Sequence, residues 1–133
     1  MRRFLLDTNI LSDVIRQPHG RVAGRVSALS QDELCTSIIV VAELRVGAIR
    51  RETARLAVQL EAVLEGIDVL AFEKPADIAY GKLRAYLEQA GTPVGANDLL
   101  IAAHALTLDL TLVTDNEREF SRVPDLKIEN WLR

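Results

Sequence analysis

Short apolar runs recur along this chain, and four of them abut an acidic residue. Asp7 ends Phe4-Leu5-Leu6, and Glu43 follows Ile38-Ile39-Val40-Val41-Ala42. Asp98 opens Leu99-Leu100-Ile101-Ala102-Ala103, and Asp115 closes Leu110-Thr111-Leu112-Val113-Thr114. Acidic side chains are rarely buried without partners, because desolvating an unpaired carboxylate costs several kcal/mol or forces it to take up a proton. A fold for this chain must therefore bury the apolar runs while bringing the acids to a place that tolerates their charge.

The runs alternate with helical patterns. Arg3-Phe4-Leu5-Leu6 reads as a short strand, left by a turn at Asp7-Thr8-Asn9 and followed by a helical segment from Ile10 to Ile15. Gln17-Pro18-His19-Gly20 stops that segment, and a second helix is predicted from Val22 to Leu29. Leu34-Cys35-Thr36 is the next strand, and Ser37 caps a helix through Ile49. Glu52 to Leu64 continues helically, with Leu56, Leu60, Val63 and Leu64 on one face and Gly66 as its stop. Ile67 to Leu70 alternates as a strand, and Lys74-Pro75 begins a helix through Gln89 with Ile78, Leu83, Tyr86 and Leu87 as core residues. Asn97 to Leu108 is the most apolar helix. It precedes a strand at Thr111-Leu112-Val113, a polar turn, and a last strand at Leu126-Lys127-Ile128.

Strands alternating with helices predict an α/β fold, a short parallel sheet flanked by helices on both faces. With 133 residues and neither repeat nor linker, residues 1–133 form one predicted domain. Ligands of open parallel sheets gather beyond the carboxyl ends of the strands, where Asp7 and Asp115 stand. Asp98 lies in the first turn of its helix and Glu43 about two turns into another. All four acids can thus reach one cleft.

Composition narrows the function. No apolar stretch is long enough to span a bilayer. Met1-Arg2-Arg3 leads into only three apolar residues before Asp7, which predicts no export signal and a cytoplasmic protein. The single Cys35 excludes an internal disulfide and a thiolate zinc cluster, and reads as a small buried hydrophobe. A net charge of −3 argues against binding nucleic acid by bulk positive charge. Arg45, Arg50, Arg51 and Arg55 form one local basic group, which spacing alone favours as a solvated helix face paired with Glu52 and Glu61 over a phosphate-binding patch.

Each acid has an unremarkable role available: a helix cap for Asp7, an N-terminal charge for Asp98, an ion pair with Arg45 or Arg50 for Glu43, and a turn for Asp115. Four such roles need four separate reasons, whereas one hard cation explains all of them by offsetting their repulsion. Oxygen-only ligands point to Mg²⁺, with Mn²⁺ as a substitute, and to phosphodiester hydrolysis. Thr8 and Asn9 would orient Asp7 or the attacking water, and Asn97 would bond near Asp98. His104, on an apolar helix, reads as a packed histidine, His19 as an exposed loop residue, and Trp131 as a plug at the core edge.

The ordered set of motifs resembles the PIN-domain nucleases, and within them the VapC-type ribonuclease toxins of bacterial toxin–antitoxin pairs. The resemblance is carried by Phe4-Leu5-Leu6-Asp7-Thr8-Asn9, Val41-Ala42-Glu43-Leu44 with Gly47, and Gly95-Ala96-Asn97-Asp98 through Ala105. It continues through Leu112-Val113-Thr114-Asp115-Asn116-Glu117-Arg118-Glu119-Phe120, Val123-Pro124-Asp125-Leu126 and Glu129-Asn130-Trp131. It implies a Mg²⁺-dependent endoribonuclease acting on single-stranded or structured RNA, masked by a cognate antitoxin and dimeric. Asp7, Asp98 and then Glu43 are the implied metal ligands. Asp115, Asn116 and Glu119 compete for the fourth acidic position, and Asp115 is chosen because it directly follows the strand.

Other chemistries leave different signatures. A receiver-like Mg²⁺-binding regulatory module calls for a lysine at the end of a late strand, and Lys127 falls too late. A phosphatase with a nucleophilic aspartate calls for a second aspartate two residues after Asp7, where Asn9 stands. A PIN fold serving only in protein association would not need Asp7, Glu43 and Asp98 together.

Overall fold

The computed structural model describes residues 3–51 and 53–133. The readings that involve Met1, Arg2 and Glu52, the missing export signal and one arginine partner, lie outside the described residues. Five parallel strands form one sheet: β1 (Phe4–Leu6), β2 (Leu34–Ser37), β3 (Asp68–Leu70), β4 (Thr111–Val113) and β5 (Ile128–Glu129), in the order β3-β2-β1-β4-β5. Side chains alternate between faces along a strand, yet every residue of β1 and β4 is buried. Both faces of the sheet centre are therefore covered, as expected of a parallel sheet.

The helices are α1 (Thr8–Arg16), α2 (Arg21–Ala28), α3 (Ile38–Arg51), α4 (Ala54–Glu65), α5 (Ala76–Gln89), α6 (Ala96–Thr107) and the single turn α7 (Glu117–Phe120). α1 buries Ile10, Leu11 and Ile15 at helical spacing. α3 starts where the Ser37 hydroxyl accepts the Ile39 N–H at 3.1 Å, the cap the sequence predicts. α6 is nearly all core: Leu99 and Ile101 to Ala105 are buried.

Chain order fixes where a ligand binds. The chain builds β1, β2 and β3 outward in one direction, then crosses back to place β4 on the other side of β1. The switch lies between β1 and β4, at whose carboxyl ends a crevice opens. Asp7 follows β1 there, and its N–H donates to the Val113 carbonyl of β4 at 2.9 Å.

Several predicted elements move. Thr8 and Asn9 are the first turn of α1, with Asp7 at its N-cap, rather than a turn before it. The polar stretch after β4 contains α7, and β5 sits one to two residues later than expected, at Ile128–Glu129. Leu83 and Leu87 of α5 are buried as predicted, but Ile78 and Tyr86 are each 56% exposed, because the buried stripe runs through Ala76, Leu83 and Leu87. Trp131 is buried edge-on to Phe4, with ring centroids 5.1 Å apart, and the Arg25 guanidinium lies 4.4 Å from its ring centroid.

Candidate active site

One cavity of about 480 Å³ opens at the switch point, and Asp7, Glu43, Asp98 and Asn116 line it together. Three of the four acids singled out in the sequence thus meet, each delivered by a different element. Asp7 leaves β1 and is only 3% exposed. The Thr114 hydroxyl, at the end of β4, donates to Asp7 Oδ2 at 2.7 Å. Burial pushes the Asp7 carboxyl above its ordinary range, the Thr114 bond opposes the shift, and the Glu43 charge adds to it.

Glu43 enters from α3, and the Thr8 hydroxyl of α1 donates to its Oε1 at 2.9 Å. Among the described residues no arginine is paired with it. Arg45 instead forms two bonds to Glu61, at 2.8 and 3.3 Å, so that part of the solvated-face expectation holds. Asp98 is the third residue of α6, where a capping acid would reach back to the Gly95 N–H. That donor is taken: Gly95 N–H donates to Glu119 Oε1 at 2.6 Å. Asp98 is left facing the cavity.

Asn116 bridges the last two acids, its Nδ2 donating to Asp98 Oδ2 at 3.2 Å and to Glu119 Oε2 at 3.1 Å. The Gly95 N–H, with Asn116 and Asp98, holds Glu119 below its ordinary range. Asp98 moves the other way. Burial, the neighbouring Glu119, and the charges of Asp7 and Glu43 push it up to about 7. Of the two neighbouring carboxyls Asp98 is therefore the one that holds a proton more readily.

Asp115 does not join this cluster. Its side chain is exposed and accepts from Asn130 Nδ2 at 3.0 Å, while its backbone N–H donates to Asn9 Oδ1 at 3.1 Å. Past β4 the chain bends at Asp115, so that with Thr114 aimed at Asp7 the Asp115 side chain turns outward to Asn130 and the Asn116 side chain returns to the site. The structure places Asn116 and Glu119, not Asp115, beside Asp98. The expected supports shift as well: Thr8 bonds Glu43, Asn9 ties α1 to the end of β4, Thr114 orients Asp7, and Asn97 is exposed. Thr114 was missed by the sequence reading, although its position at the end of a buried strand signals it.

Among the described residues, no three Asp, Glu, His or Cys side chains stand as a finished metal-ligand set. The donor chemistry nonetheless suits a hard divalent cation. Asp7, Glu43 and Asp98 offer only carboxylate oxygens, and two of them are pushed up by burial and by one another, a conflict a cation would relieve. The remaining singled-out residues are structural. His104 is buried, its Nδ1 2.8 Å from Ser37 Oγ and its ring edge-on to Phe72. Burial pushes the Cys35 thiol up to about 11, which leaves it unreactive. Lys127 pairs with Asp109 at 3.3 Å rather than serving an acidic pocket, against the receiver-like reading.

This geometry has counterparts of known family. The family model described as "PIN domain" matches residues 4–126. The chain belongs to the PIN-domain family. Its VapC-type relatives include "Ribonuclease VapC2" of Rickettsia felis, 36% identical over 130 residues that cover 96% of this chain and 97% of that protein. They also include "tRNA(fMet)-specific endonuclease VapC" of Shigella flexneri, 39% identical over 98% of this chain and 99% of its own length. Among solved structures, VapBC2 from Rickettsia felis bound to a DNA fragment from their promoter contains a chain that superposes with a TM-score of 0.90 at 35% identity. That match covers 96% of this chain and 98% of the other. The PIN fold thus extends over nearly the whole chain, and its cleft is the acidic cavity at the β1–β4 switch.

Proposed function

We propose that this protein is a Mg²⁺-dependent endoribonuclease, the toxin of a toxin–antitoxin pair, acting in the cytoplasm as a dimer and held in check by a cognate antitoxin. The observation that carries the reading is the meeting of Asp7, Glu43 and Asp98 in one cavity, none of them in an ion pair among the described residues. Its relatives named ribonuclease and endonuclease, and its structural neighbours solved as VapBC pairs, support the same assignment.

Asp7 and Asp98, with Glu43, would hold the cation, Mn²⁺ substituting for Mg²⁺. The bound ion would supply charge stabilisation at the scissile phosphoryl group. The chain's own residues set the stage. Thr114 fixes the Asp7 carboxylate, Thr8 fixes Glu43, and Asn116 holds Asp98 and Glu119 at one spacing. A cation at this site competes with the Asp98 proton, so at limiting Mg²⁺ activity should rise with pH through about 7, the value to which Asp98 is pushed without metal, and the rise should move to lower pH as Mg²⁺ saturates.

The test is cleavage of a pool of transfer, ribosomal and messenger RNA fragments by purified protein with Mg²⁺, with EDTA, and with Asp7→Asn. Specific products that require both the metal and Asp7 are expected. Products that persist in EDTA or with Asp7→Asn would overturn the reading. Asp115→Asn is a sharp companion, because its side chain is turned away: it is expected to cleave within about twofold of wild type, since an exposed group outside the site contributes little to transition-state stabilisation. A loss of a hundredfold or more would return Asp115 to the metal site.

A further inference from the structure

The acids occupy only part of the cavity. The rest is walled by Ile15, Leu44, Leu56 and Leu60, and two arginines, Arg16 of α1 and Arg51 of α3, line it as well. Among the described residues five other arginines are paired with acids: Arg3 with Asp68, Arg25 with Glu129, Arg45 with Glu61, Arg84 with Glu88 and Arg133 with Glu117. Among the described residues no ion pair engages Arg16 or Arg51, and the Arg16 Nε merely donates to the Ser12 carbonyl at 3.3 Å. Arg21, Arg50, Arg55, Arg118 and Arg122 stand in no ion pair among the described residues either; what sets Arg16 and Arg51 apart is that they line the cavity of the acids, where they can meet an anion that approaches that centre.

Their placement follows from the helices. The Thr8–Glu43 bond clamps α1 to α3 at the level of the acids. Arg16 and Arg51 each stand eight residues further along their own helix, about 12 Å at helical rise. Both helices begin at the carboxyl edge of the parallel sheet, and both arginines line the cavity that holds the acids. A polyanion reaching the carboxylates meets repulsion that a cation offsets only at the reacting phosphate. Its neighbouring phosphates need separate positive charge, and Arg offers the planar donor fork that phosphate oxygens accept.

We infer that Arg16 and Arg51 form a phosphate clamp for a single strand of RNA crossing the cavity, with an unstacked base lying against Ile15, Leu44, Leu56 and Leu60. This rests on the ribonuclease reading and adds the strand's path and the residues that position it. A cavity of about 480 Å³ is in the range that takes one small ligand group, and it is single strands rather than duplexes whose bases are free to enter such a pocket. The arginines are positioning residues, remote from the reacting atoms.

Fluorescence anisotropy of a labelled mixed-sequence RNA dodecamer, titrated with Asp98→Asn protein in Mg²⁺ at several salt concentrations, tests the clamp without cleavage. Adding Arg16→Ala and Arg51→Ala is expected to weaken binding by about tenfold to a hundredfold and to reduce the log–log salt slope by about two. Arg16→Lys with Arg51→Lys should restore the slope but only part of the affinity, and a duplex of the same sequence should compete poorly. Unchanged affinity and slope in the double alanine protein would overturn the clamp while leaving the metal-dependent cleavage reading intact. Loss of antitoxin binding with RNA affinity unchanged would also overturn it and assign the groove to a protein. Because Asp98→Asn gives up the metal site, its failure to bind any single strand would overturn the clamp alone, and Mg²⁺-dependent cleavage by the wild type decides the ribonuclease reading separately.

Discussion

Replacing Asp98 with asparagine is expected to abolish RNA cleavage, by about a thousandfold or more, while making the metal-free protein more stable at pH 8. The two effects have one origin. In the folded protein the Asp98 carboxyl is pushed from the ordinary 3.8 up to about 7, first by burial and then by Glu119, Asp7 and Glu43. The folded state therefore holds this proton more tightly than the unfolded chain does. The resulting stabilisation is fully present below about pH 4 and is lost as pH rises through about 7. At pH 8 the folded state carries an ionised Asp98 among other acids. With solvent screening at this half-buried position, that costs about 1–3 kcal/mol.

Asparagine keeps the shape and, like the protonated acid, donates to Glu119. Asp98→Asn should raise the thermal midpoint by several degrees at pH 8 and by almost nothing at pH 4, without metal. Saturating Mg²⁺ should stabilise wild type and leave the variant unmoved, since only a species that binds the folded state shifts its midpoint. A variant less stable than wild type at pH 8 would mean that the acids are not in conflict. Strain of this kind fits a functional site, where ionised groups are held for a task other than stability.

Phe120→Ala carries the second large effect, on folding. Phe120 is fully buried, and it anchors a helix of only four residues, too short to persist alone. Truncating it removes the transfer free energy of the ring and leaves a cavity, a loss of about 3–5 kcal/mol. The measurement is the urea midpoint, with Phe120→Leu expected to lose less than half as much. The consequence reaches the site, because α7 carries Glu119 and its N-cap is Asn116. In Phe120→Ala protein that still folds, Asp98 should titrate closer to its ordinary range, followed by carboxyl NMR between pH 4 and 9. An Asp98 titration unchanged from wild type would show that α7 does not set its environment.

Much of this organisation is legible from residue order, for identifiable reasons. The strands at Phe4–Leu6 and Thr111–Val113 are short apolar runs bounded by polar residues, buried on both sides, and such runs declare themselves. Asp7 and Asp98 stand where a helix begins, a place that ordinarily favours an acid, so each is legible only through the company of the other acids, and both line the cavity. Glu43 lies within α3 and reaches the same cavity.

What was obscured depends on geometry finer than composition. The stretch after β4 is polar, and only Phe120 in Glu117–Phe120 reports to the core, so α7 has no periodicity to detect. Asp115 is the natural acid by position because it follows the strand so closely, yet the chain bends there: Thr114 points to Asp7, Asp115 outward and Asn116 inward. A turn at Asp115-Asn116 is legible in the sequence, but the direction it gives each side chain is not. Neither is the bond between Thr8 and Glu43, because no local pattern relates residues 35 positions apart.

The central claim is that Asp7 and Asp98, with Glu43, hold one divalent cation at the β1–β4 switch. Calorimetric titration of the purified protein with Mg²⁺ at pH 6.5, in two buffers of different ionisation enthalpy, tests it most directly. Predicted is a single class of site whose occupation releases a proton, lost in Asp7→Asn and in Asp98→Asn and retained in Asp115→Asn. Binding of equal strength in wild type, Asp7→Asn and Asp98→Asn, or no binding to wild type, would contradict it.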